Sequence, residues 1–253
     1  MPFAAFFDLD GTLAIRNGPP FPVDVAAMRA FQADGNYLFL CTGRSTGYLY
    51  PAILDIGFDG IIAGGGAYAT IGNRFVHHVC VDKSLLPPLQ QAFEHSTSTL
   101  IMETERYMIQ LASPQATHIV PNYHRILTAA EWQATYTDES VSKFTVYGPI
   151  PDTIRPFVDA NWTVIEHGRY EEVVPIGCSK ADAIRRVLQD LGLSREQSIG
   201  FGDSMNDYDM LQYVGVGVAM GNATDAIKAI ADRITAPFDE GGVAMVLQDY
   251  LHT

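Results

Sequence analysis

Two aspartates, Asp8 and Asp10, follow a short apolar run at residues 3–7 near the start of the chain. A run of this length is typical of a buried strand. Because side chains alternate between the two faces of a strand, we predict that both carboxylates project to one side and Leu9 to the core. Carboxylates this close repel each other and stay ionised together only if a cation or strong hydrogen-bond donors compensate. Alone, the pair fits a reactive site and a solvated acidic turn equally well.

Polar residues also follow two later apolar runs, 37–41 and 198–202, which are predicted to be strands. They are Thr42, Gly43 and Arg44 after the first run, and Asp203, Asn206 and Asp207 after the second. Ligands of open parallel sheets bind outside the carboxyl ends of the strands, so we expect these residues to lie near Asp8 and Asp10. The four aspartates would form a dense cluster, which Mg²⁺, a cation that prefers oxygen ligands, could neutralise.

Two further features suit an anionic ligand. Lys180 lies in the first turn of a predicted amphipathic helix, where a cation opposes the helix dipole but is useful beside a phosphate and a carboxylate nucleophile. Thr42 and Gly43 are predicted to open a helix that continues to about Leu54, and a helix N-terminus binds anions. Arg44 fits a substrate contact and an ion pair with a local acid equally well.

The composition is that of an ordinary globular protein with an acidic balance. Of 253 residues, 47% are hydrophobic and 18% charged, and the formal net charge is -13. A basic face is needed to bind a nucleic-acid backbone, so we expect no nucleic-acid partner, and no anionic membrane surface either. The three cysteines are widely spaced and no basic, signal-like N-terminus is visible, so we expect a cytoplasmic protein. Nothing in the composition favours one oligomeric state over another.

The order of predicted elements indicates one α/β domain interrupted by a second domain. Strands alternate with helices up to residue 79 and again from residue 178, which is typical of a parallel sheet. Residues 80–177 have an α+β pattern with more antiparallel character, including a short helix predicted at 121–127. We therefore predict a Rossmann-like parallel-sheet core formed by residues 1–79 and 178–253, with an α+β domain inserted at 80–177.

Four segments resemble the four motifs of the haloacid dehalogenase (HAD) superfamily, in the same order. They are Asp8-Leu9-Asp10-Gly11-Thr12, Thr42-Gly43-Arg44, Cys178-Ser179-Lys180 and Gly202-Asp203-Ser204-Met205-Asn206-Asp207. The resemblance is strongest to the Cof-type phosphatases with a C2B cap, which residues 172–180 also resemble where the cap returns to the core. The chain departs from that pattern at Gly65, where an Asn is usual, and at Ala181, where a Gly is usual.

The resemblance implies a Mg²⁺-dependent phosphatase that acts on a small phosphorylated metabolite. Asp8 would be the nucleophile that forms an aspartyl-phosphate, and Asp10 the general acid and base. The roles that remain are metal binding by the Asp8 carboxylate, the Asp10 carbonyl, Asp203 and Asp207, the last directly or through water, and phosphate binding by Thr42, Gly43, Lys180 and Asn206. Phosphoryl transfer needs charge neutralisation and alignment, which this set of residues could supply.

Three functions are compatible with these residues. The first is hydrolysis of a sugar phosphate or a similar polyol phosphate, with the inserted domain closing over the site as a cap. The second is phosphoryl transfer, as in a phosphohexomutase, which resembles the same architecture and uses the same first motif. The third is Mg²⁺-dependent ligand binding without catalysis, which the complete set of motif residues makes the least favoured.

Overall fold

A computed structural model describes residues 1–166 and 168–251. In chain order, the strands are β1 (Ala4–Phe7), β2 (Tyr37–Cys41), β3 (Gly60–Ala63), β4 (Tyr68–Ile71), β5 (Arg74–His78), β6 (Thr99–Thr104), β7 (Met108–Leu111), β8 (His124–Ile126), β9 (Val141–Tyr147), β10 (Trp162–Glu166), β11 (Tyr170–Pro175), β12 (Ser198–Gly202), β13 (Val216–Ala219) and β14 (Arg233–Ile234). The α-helices are α1 (Pro22–Ala33), α2 (Pro51–Leu54), α3 (Leu86–Phe93), α4 (Ala129–Thr135), α5 (Arg155–Asn161), α6 (Lys180–Leu191), α7 (Tyr208–Tyr213), α8 (Asp225–Ile230) and α9 (Gly242–Leu247).

The chain forms two compact units. The first comprises Met1–Arg44, Leu49–His78 and the chain from Ser179 onward, and the second comprises Ser45–Tyr48 and Val79–Cys178. An 8-stranded sheet in the order β14-β13-β12-β1-β2-β3-β4-β5 organises the first unit. Strands β14 to β3 of this sheet pair in parallel, and β4 and β5 continue it as an antiparallel hairpin. The α/β parallel-sheet core predicted from the sequence is confirmed.

Strand β1 lies in the middle of this sheet and is buried on both faces. Ala5 and Phe7 belong to the apolar cluster that includes residues of α1 and α9, whereas Ala4 and Phe6 belong to the cluster that includes residues of α6, α7 and α8. Phe7 stacks on Phe201 of β12 with 4.9 Å between ring centroids. Because β1 is fixed by packing on both faces, the residues that follow it start from a rigid position.

A continuous helix that opens at Thr42 and Gly43 and reaches about Leu54 is not formed, although α2 ends at Leu54 as expected. In its place the structure has a 3-10 turn at Thr46–Tyr48 and the short helix α2 at Pro51–Leu54. Proline has no backbone N–H, and it disfavours helical geometry in the residue before it. Tyr50 is accordingly extended, with φ -126° and ψ 156°. The interruption leaves Gly43 in a loop, so the prediction that it opens a helix was wrong.

The second unit is built on a 6-stranded sheet in the order β10-β11-β9-β6-β7-β8. Its pairs are antiparallel except for β7 with β8, which are parallel. Leu89 and Phe93 of α3 and Trp132 of α4 belong to its apolar cluster. The prediction of a helix at 121–127 was wrong, because residues 124–126 form β8, which pairs with β7.

Across the described residues, no helix is long and apolar enough to cross a membrane.

Candidate active site

Three carboxylates meet at the carboxyl ends of β1 and β12. Asp8 follows β1, Asp203 follows β12, and Asp207 ends the 3-10 turn Met205–Asp207. One oxygen atom from each of the three lies within 4.8 Å of the others. Since β1 and β12 are hydrogen-bonded parallel neighbours, their ends bring Asp8 and Asp203 together although the two residues are far apart in sequence.

Lys180 is the cation that faces this cluster. Its Nζ donates hydrogen bonds to Asp8 Oδ1 at 2.6 Å and to Asp207 Oδ1 at 2.5 Å. Lys180, Asp8 and Asp207 are all almost fully buried. A buried ammonium held between two carboxylates has little rotational freedom, so Lys180 fixes the orientation of Asp8.

Lys180 begins α6, and two backbone features fix where that helix starts. Ser179 is the N-cap, and its Oγ accepts a hydrogen bond from the Asp182 N–H at 3.2 Å. Gly66, with φ +101°, lies so close to Ser179 that a Cβ atom would overlap the Ser179 carbonyl oxygen. The turn after β3 therefore packs directly against the residue that precedes Lys180, and only glycine fits there.

Asp207 organises the loop after β12. Its Oδ2 accepts hydrogen bonds from the backbone N–H of Asp203 at 2.9 Å and of Ser204 at 3.1 Å. Gly202 leaves the space for this carboxylate, since a Cβ atom there would lie 2.5 Å from the Cβ of Asp207. With Lys180 on its other oxygen, Asp207 already accepts from three donors in the structure, and its first role is to hold the loop.

Burial and mutual repulsion shift the acidity of the cluster. Burial, and then the charge of Asp207, raise the pKa of Asp8 well above its usual range, and the same two causes raise the pKa of Asp203 to about 7. Burial alone would lower the pKa of Lys180, but the charges of Asp207 and Asp8 outweigh it, and the pKa lies above its ordinary value. The three carboxylates and the single ammonium of Lys180 together carry excess negative charge, which is costly to bury.

The donor set fits a divalent cation. The Oδ1 atom of Asp203 is buried, and no residue that the structure describes offers it a hydrogen bond. An unpartnered carboxylate oxygen in a buried site is costly unless something positive binds it. Hard oxygen ligands from Asp8 and Asp203 are those that Mg²⁺ takes in proteins. A divalent ion bound there would satisfy the Asp203 oxygen and balance the excess charge.

The carboxylate of Asp10 has a different partner from that of Asp8. Arg44 donates from Nε to Asp10 Oδ2 at 2.7 Å and from Nη2 to Asp10 Oδ1 at 2.6 Å. The Asp10 side chain is 51% exposed and the Arg44 side chain only 11%. Because β1 ends at Phe7, the alternation expected along a strand does not extend to Asp10. Of the two interpretations of Arg44, the structure shows an ion pair with a local acid.

Of the residues expected to bind phosphate, Lys180 begins α6, and Thr42, Gly43 and Asn206 lie in two loops of the first unit. Thr42 follows β2, is buried, and accepts a hydrogen bond from the Arg44 N–H at 3.1 Å. Gly43 lies beside it in the same loop, which is tied to the turn after β3 by a bond from the Gly65 N–H to the Thr42 carbonyl at 3.2 Å. Asn206 Oδ1 accepts from Ser204 Oγ at 2.6 Å.

Two further polar residues, Thr12 and Asp209, have no role assigned from the sequence. The Oγ1 atom of Thr12 is buried and has no hydrogen-bond partner among the described residues. Asp209 Oδ2 accepts from the Ala181 N–H at 3.2 Å and so holds the first turn of α6, next to Lys180. Thr12 is visible in the first motif as a hydroxyl beside the acids. Nothing in the sequence indicates Asp209, because its partner Ala181 lies 28 residues earlier in the chain.

Comparison with known proteins identifies the family. A model of the haloacid dehalogenase-like hydrolases matches residues 5–247. The chain is 27% identical over 280 residues to 5-amino-6-(5-phospho-D-ribitylamino)uracil phosphatase YitU of Bacillus subtilis, covering 98% of this chain and 97% of YitU. It is 25% identical over 264 residues to HMP-PP phosphatase of Serratia proteamaculans, covering 98% of this chain and 95% of that one.

A solved structure has the same fold. The crystal structure of a haloacid dehalogenase-like hydrolase from Bacteroides thetaiotaomicron matches with a TM-score of 0.85 and 22% identity, covering 99% of this chain and 100% of that chain. At this identity the similarity is one of fold, and the sequence match over residues 5–247 carries the assignment. The chain belongs to the haloacid dehalogenase-like hydrolases.

Proposed function

We propose that this phosphoester hydrolase is a Mg²⁺-dependent phosphatase that hydrolyses a small phosphorylated metabolite through an aspartyl-phosphate on Asp8. The observation that carries the proposal is the buried carboxylate of Asp8, which Lys180 holds at 2.6 Å beside the unpartnered oxygen of Asp203. A carboxylate fixed in this way is a competent nucleophile. It can approach an anionic phosphoryl group only where positive charge compensates the repulsion.

In the first half-reaction, an oxygen of Asp8 attacks phosphorus and the bond between phosphorus and the leaving oxygen breaks. Asp10 donates a proton to that oxygen, so the leaving group departs as an alcohol. Lys180 stays on the other carboxylate oxygen and offsets the negative charge between nucleophile and substrate. Mg²⁺ held by the Asp8 and Asp203 carboxylates and the Asp10 carbonyl, with Asp207 direct or through water, would supply the remaining positive charge.

In the second half-reaction, Asp10 is the base. It takes a proton from a water molecule, whose oxygen attacks phosphorus, and the bond between phosphorus and Asp8 breaks. Inorganic phosphate leaves and Asp8 returns to its starting form. The phosphoryl oxygens would be held by the Thr42 hydroxyl, the Gly43 N–H, Asn206 and Lys180. Such fixed donors stabilise transferred phosphoryl groups.

The second unit, Val79–Cys178 with Ser45–Tyr48, is proposed to be a cap that selects the leaving group. Two relatives of similar overall length carry names for different substrates, a phosphoribitylamino-uracil and HMP-PP. The chemistry of the motif residues is therefore compatible with several leaving groups. A sugar phosphate or a similar polyol phosphate is the class we propose for this chain.

A panel of phosphorylated metabolites tests the proposal. We expect release of inorganic phosphate from at least one small phosphomonoester with Mg²⁺ and none with EDTA. Asp8→Asn should abolish release, while Asp190→Asn, which removes a carboxylate from a surface ion pair with Arg74, should leave it unchanged. Isomerised sugar phosphate without free phosphate would instead indicate a mutase. Full activity of Asp8→Asn would rule out the mechanism.

A further inference from the structure

We infer that Arg44 is a positioning residue for the acid–base carboxylate of Asp10. The inference rests on the proposed function, because it assigns Arg44 a part in the proton transfers of that reaction. It is carried by the contacts of the guanidinium with Asp10, with Asn17 in the loop at residues 16–18, and with the ring of Tyr50.

The two hydrogen bonds from Arg44 fix both oxygens of Asp10. They are 2.7 and 2.6 Å long and use Nε and Nη2, which form one planar edge of the guanidinium. A bidentate pair of this kind determines the plane of the carboxylate as well as its position. The exposed carboxylate is thus oriented by a mostly covered cation.

The guanidinium is itself held on its remaining side. Nη1 donates to Asn17 Oδ1 at 2.6 Å, and the guanidinium carbon lies 5.6 Å from the centre of the Tyr50 ring. The Tyr50 hydroxyl donates to the Gly18 carbonyl at 3.0 Å, which ties the ring to the same loop. Asn17 has a left-handed backbone, with φ 59°. Asparagine is among the non-glycine residues that adopt this conformation most often.

The backbone at Arg44 is anchored on both sides. The Gly64 N–H donates to the Arg44 carbonyl at 2.7 Å. The next residue, Ser45, belongs to the second compact unit, where its hydroxyl lies 3.2 Å from Met108 Sδ. At Gly47 a Cβ atom would lie 3.0 Å from the Thr104 carbonyl oxygen, so this segment packs closely within that unit. Arg44 is therefore the residue at which the chain passes from the site of Asp10 into the second unit.

Proton transfer depends on where the carboxylate points, and this gives a readout specific to Asp10. A general acid is needed for a poor leaving group, such as the alkoxide of a glycerol phosphate, and hardly at all for a dinitrophenolate. For Arg44→Gln, we expect kcat/KM to fall about tenfold or more on glycerol phosphate and less than about threefold on dinitrophenyl phosphate. Arg44→Lys keeps the positive charge but cannot donate two parallel hydrogen bonds to the Asp10 carboxylate. It should therefore also lose more activity on glycerol phosphate than on dinitrophenyl phosphate.

A double-mutant cycle separates positioning from other roles. In the Asp10→Asn background, Arg44→Gln should cause almost no further loss, because the residue it orients can no longer transfer a proton. Arg74→Gln, which removes another arginine from an ion pair in the first unit, is the control and should leave the ratio of the two substrates unchanged. Thermal unfolding of each variant reports whether the fold is intact.

The outcomes are distinct. An alkyl-selective loss that vanishes in the Asp10→Asn background supports the assignment. Equal losses on both substrates, a loss that persists in that background, or a gain of activity would overturn it. Failure of the proposed function has a different signature, since the wild-type protein would then release no phosphate from either substrate.

Discussion

Asp8 and Asp10 are two residues apart, yet their surroundings differ. Asp8 is buried and bonded to Lys180, whereas Asp10 is half exposed and bonded to Arg44. A buried carboxylate fixed by an ammonium suits attack on phosphorus, and an exposed one that can exchange protons suits acid–base catalysis. This difference in surroundings is the physical basis for the proposed division of labour, in which Asp8 attacks phosphorus and Asp10 transfers protons.

Gly11 is the residue on which the closeness of the two loops depends. Its φ is +89°, and a Cβ atom would overlap the Asp203 carboxylate. We predict that Gly11→Ala abolishes phosphatase activity and weakens Mg²⁺ binding measured by calorimetry, because Asp203 must move. The matched control is Gly35→Ala, which also has φ +89° but nothing within 4 Å.

The control separates backbone strain from loss of the site. Gly35→Ala should cost about 1–2 kcal/mol in the free energy of unfolding, the usual penalty for a left-handed alanine, with activity intact. If Gly11→Ala kept both activity and Mg²⁺ affinity, the proposed contact between Gly11 and the metal site would be wrong.

At the residue scale, the candidate site could be predicted in large part from motif residues at strand ends. Asp8 and Asp203 converge because the parallel neighbours β1 and β12 end at one edge of the sheet, whereas Asp207 and Lys180 reach them from the turn after β12 and from the start of α6. The pairing of Arg44 with Asp10 was one of two open alternatives, since sequence spacing cannot say which acid a long side chain reaches.

At the scale of elements, α9 is hydrogen-bonded to a buried carboxylate of α1. Asp24 of α1 is almost fully buried, and its Oδ1 accepts from the Ala244 N–H of α9 at 2.7 Å. Burial raises the pKa of Asp24 to about 6, although hydrogen bonds from Ala244 and Val243 act in the opposite direction. The contact joins residues near the two ends of the sequence.

A raised acid pKa gives stability that is present at low pH and lost as pH rises. The folded protein holds the Asp24 proton more tightly than the unfolded chain, so the contribution is full below 3.8 and disappears through about 6. We predict that the free energy of unfolding of the wild type, relative to Asp24→Asn, increases by on the order of 1–2 kcal/mol from pH 7 to pH 4.5. Urea unfolding of both proteins at each pH measures it. A difference that stays constant with pH would contradict this explanation.

Element prediction succeeded where hydrophobic periodicity was strong and failed where tertiary contacts decided. Strand β12 has the predicted bounds, and Lys180 lies in the first turn of α6, as predicted. Residues 124–126 form a strand because β7 offers an unpaired edge, a fact that local sequence does not contain. The continuous helix expected after Gly43 is interrupted for a local reason, because Pro51 disfavours helical geometry at Tyr50.

At the scale of the whole molecule, the order of predicted elements puts the boundaries of the inserted domain at 79/80 and 177/178. The boundaries between the compact units lie at His78/Val79 and Cys178/Ser179. The membership of Ser45–Tyr48 in the second unit follows from its packing against β6 and could not be read from its composition. The inserted sheet also buries Lys143 between Glu103 and Glu172. We assign this charged cluster no function.

Binding of Mg²⁺ should stabilise the whole molecule, because the ion would bind the folded cluster and not the unfolded chain. At a hundred times its dissociation constant, a single ligand adds about 2.7 kcal/mol to the free energy of unfolding. We predict a rise in the unfolding temperature with MgCl₂ that is absent with KCl of equal ionic strength and absent in Asp203→Asn. A shift that KCl reproduces would mean general screening of the net charge of -13 rather than a specific site.

The most direct measurement is the location of the phosphoryl group during turnover. The wild-type protein is mixed with a substrate and Mg²⁺, quenched in acid within the first turnover, digested and analysed by mass spectrometry. We predict a phosphoryl group on the peptide that contains Asp8, at that residue, and none in Asp8→Asn. A phosphoryl group on another residue, or phosphate release by Asp8→Asn at the wild-type rate, would contradict it.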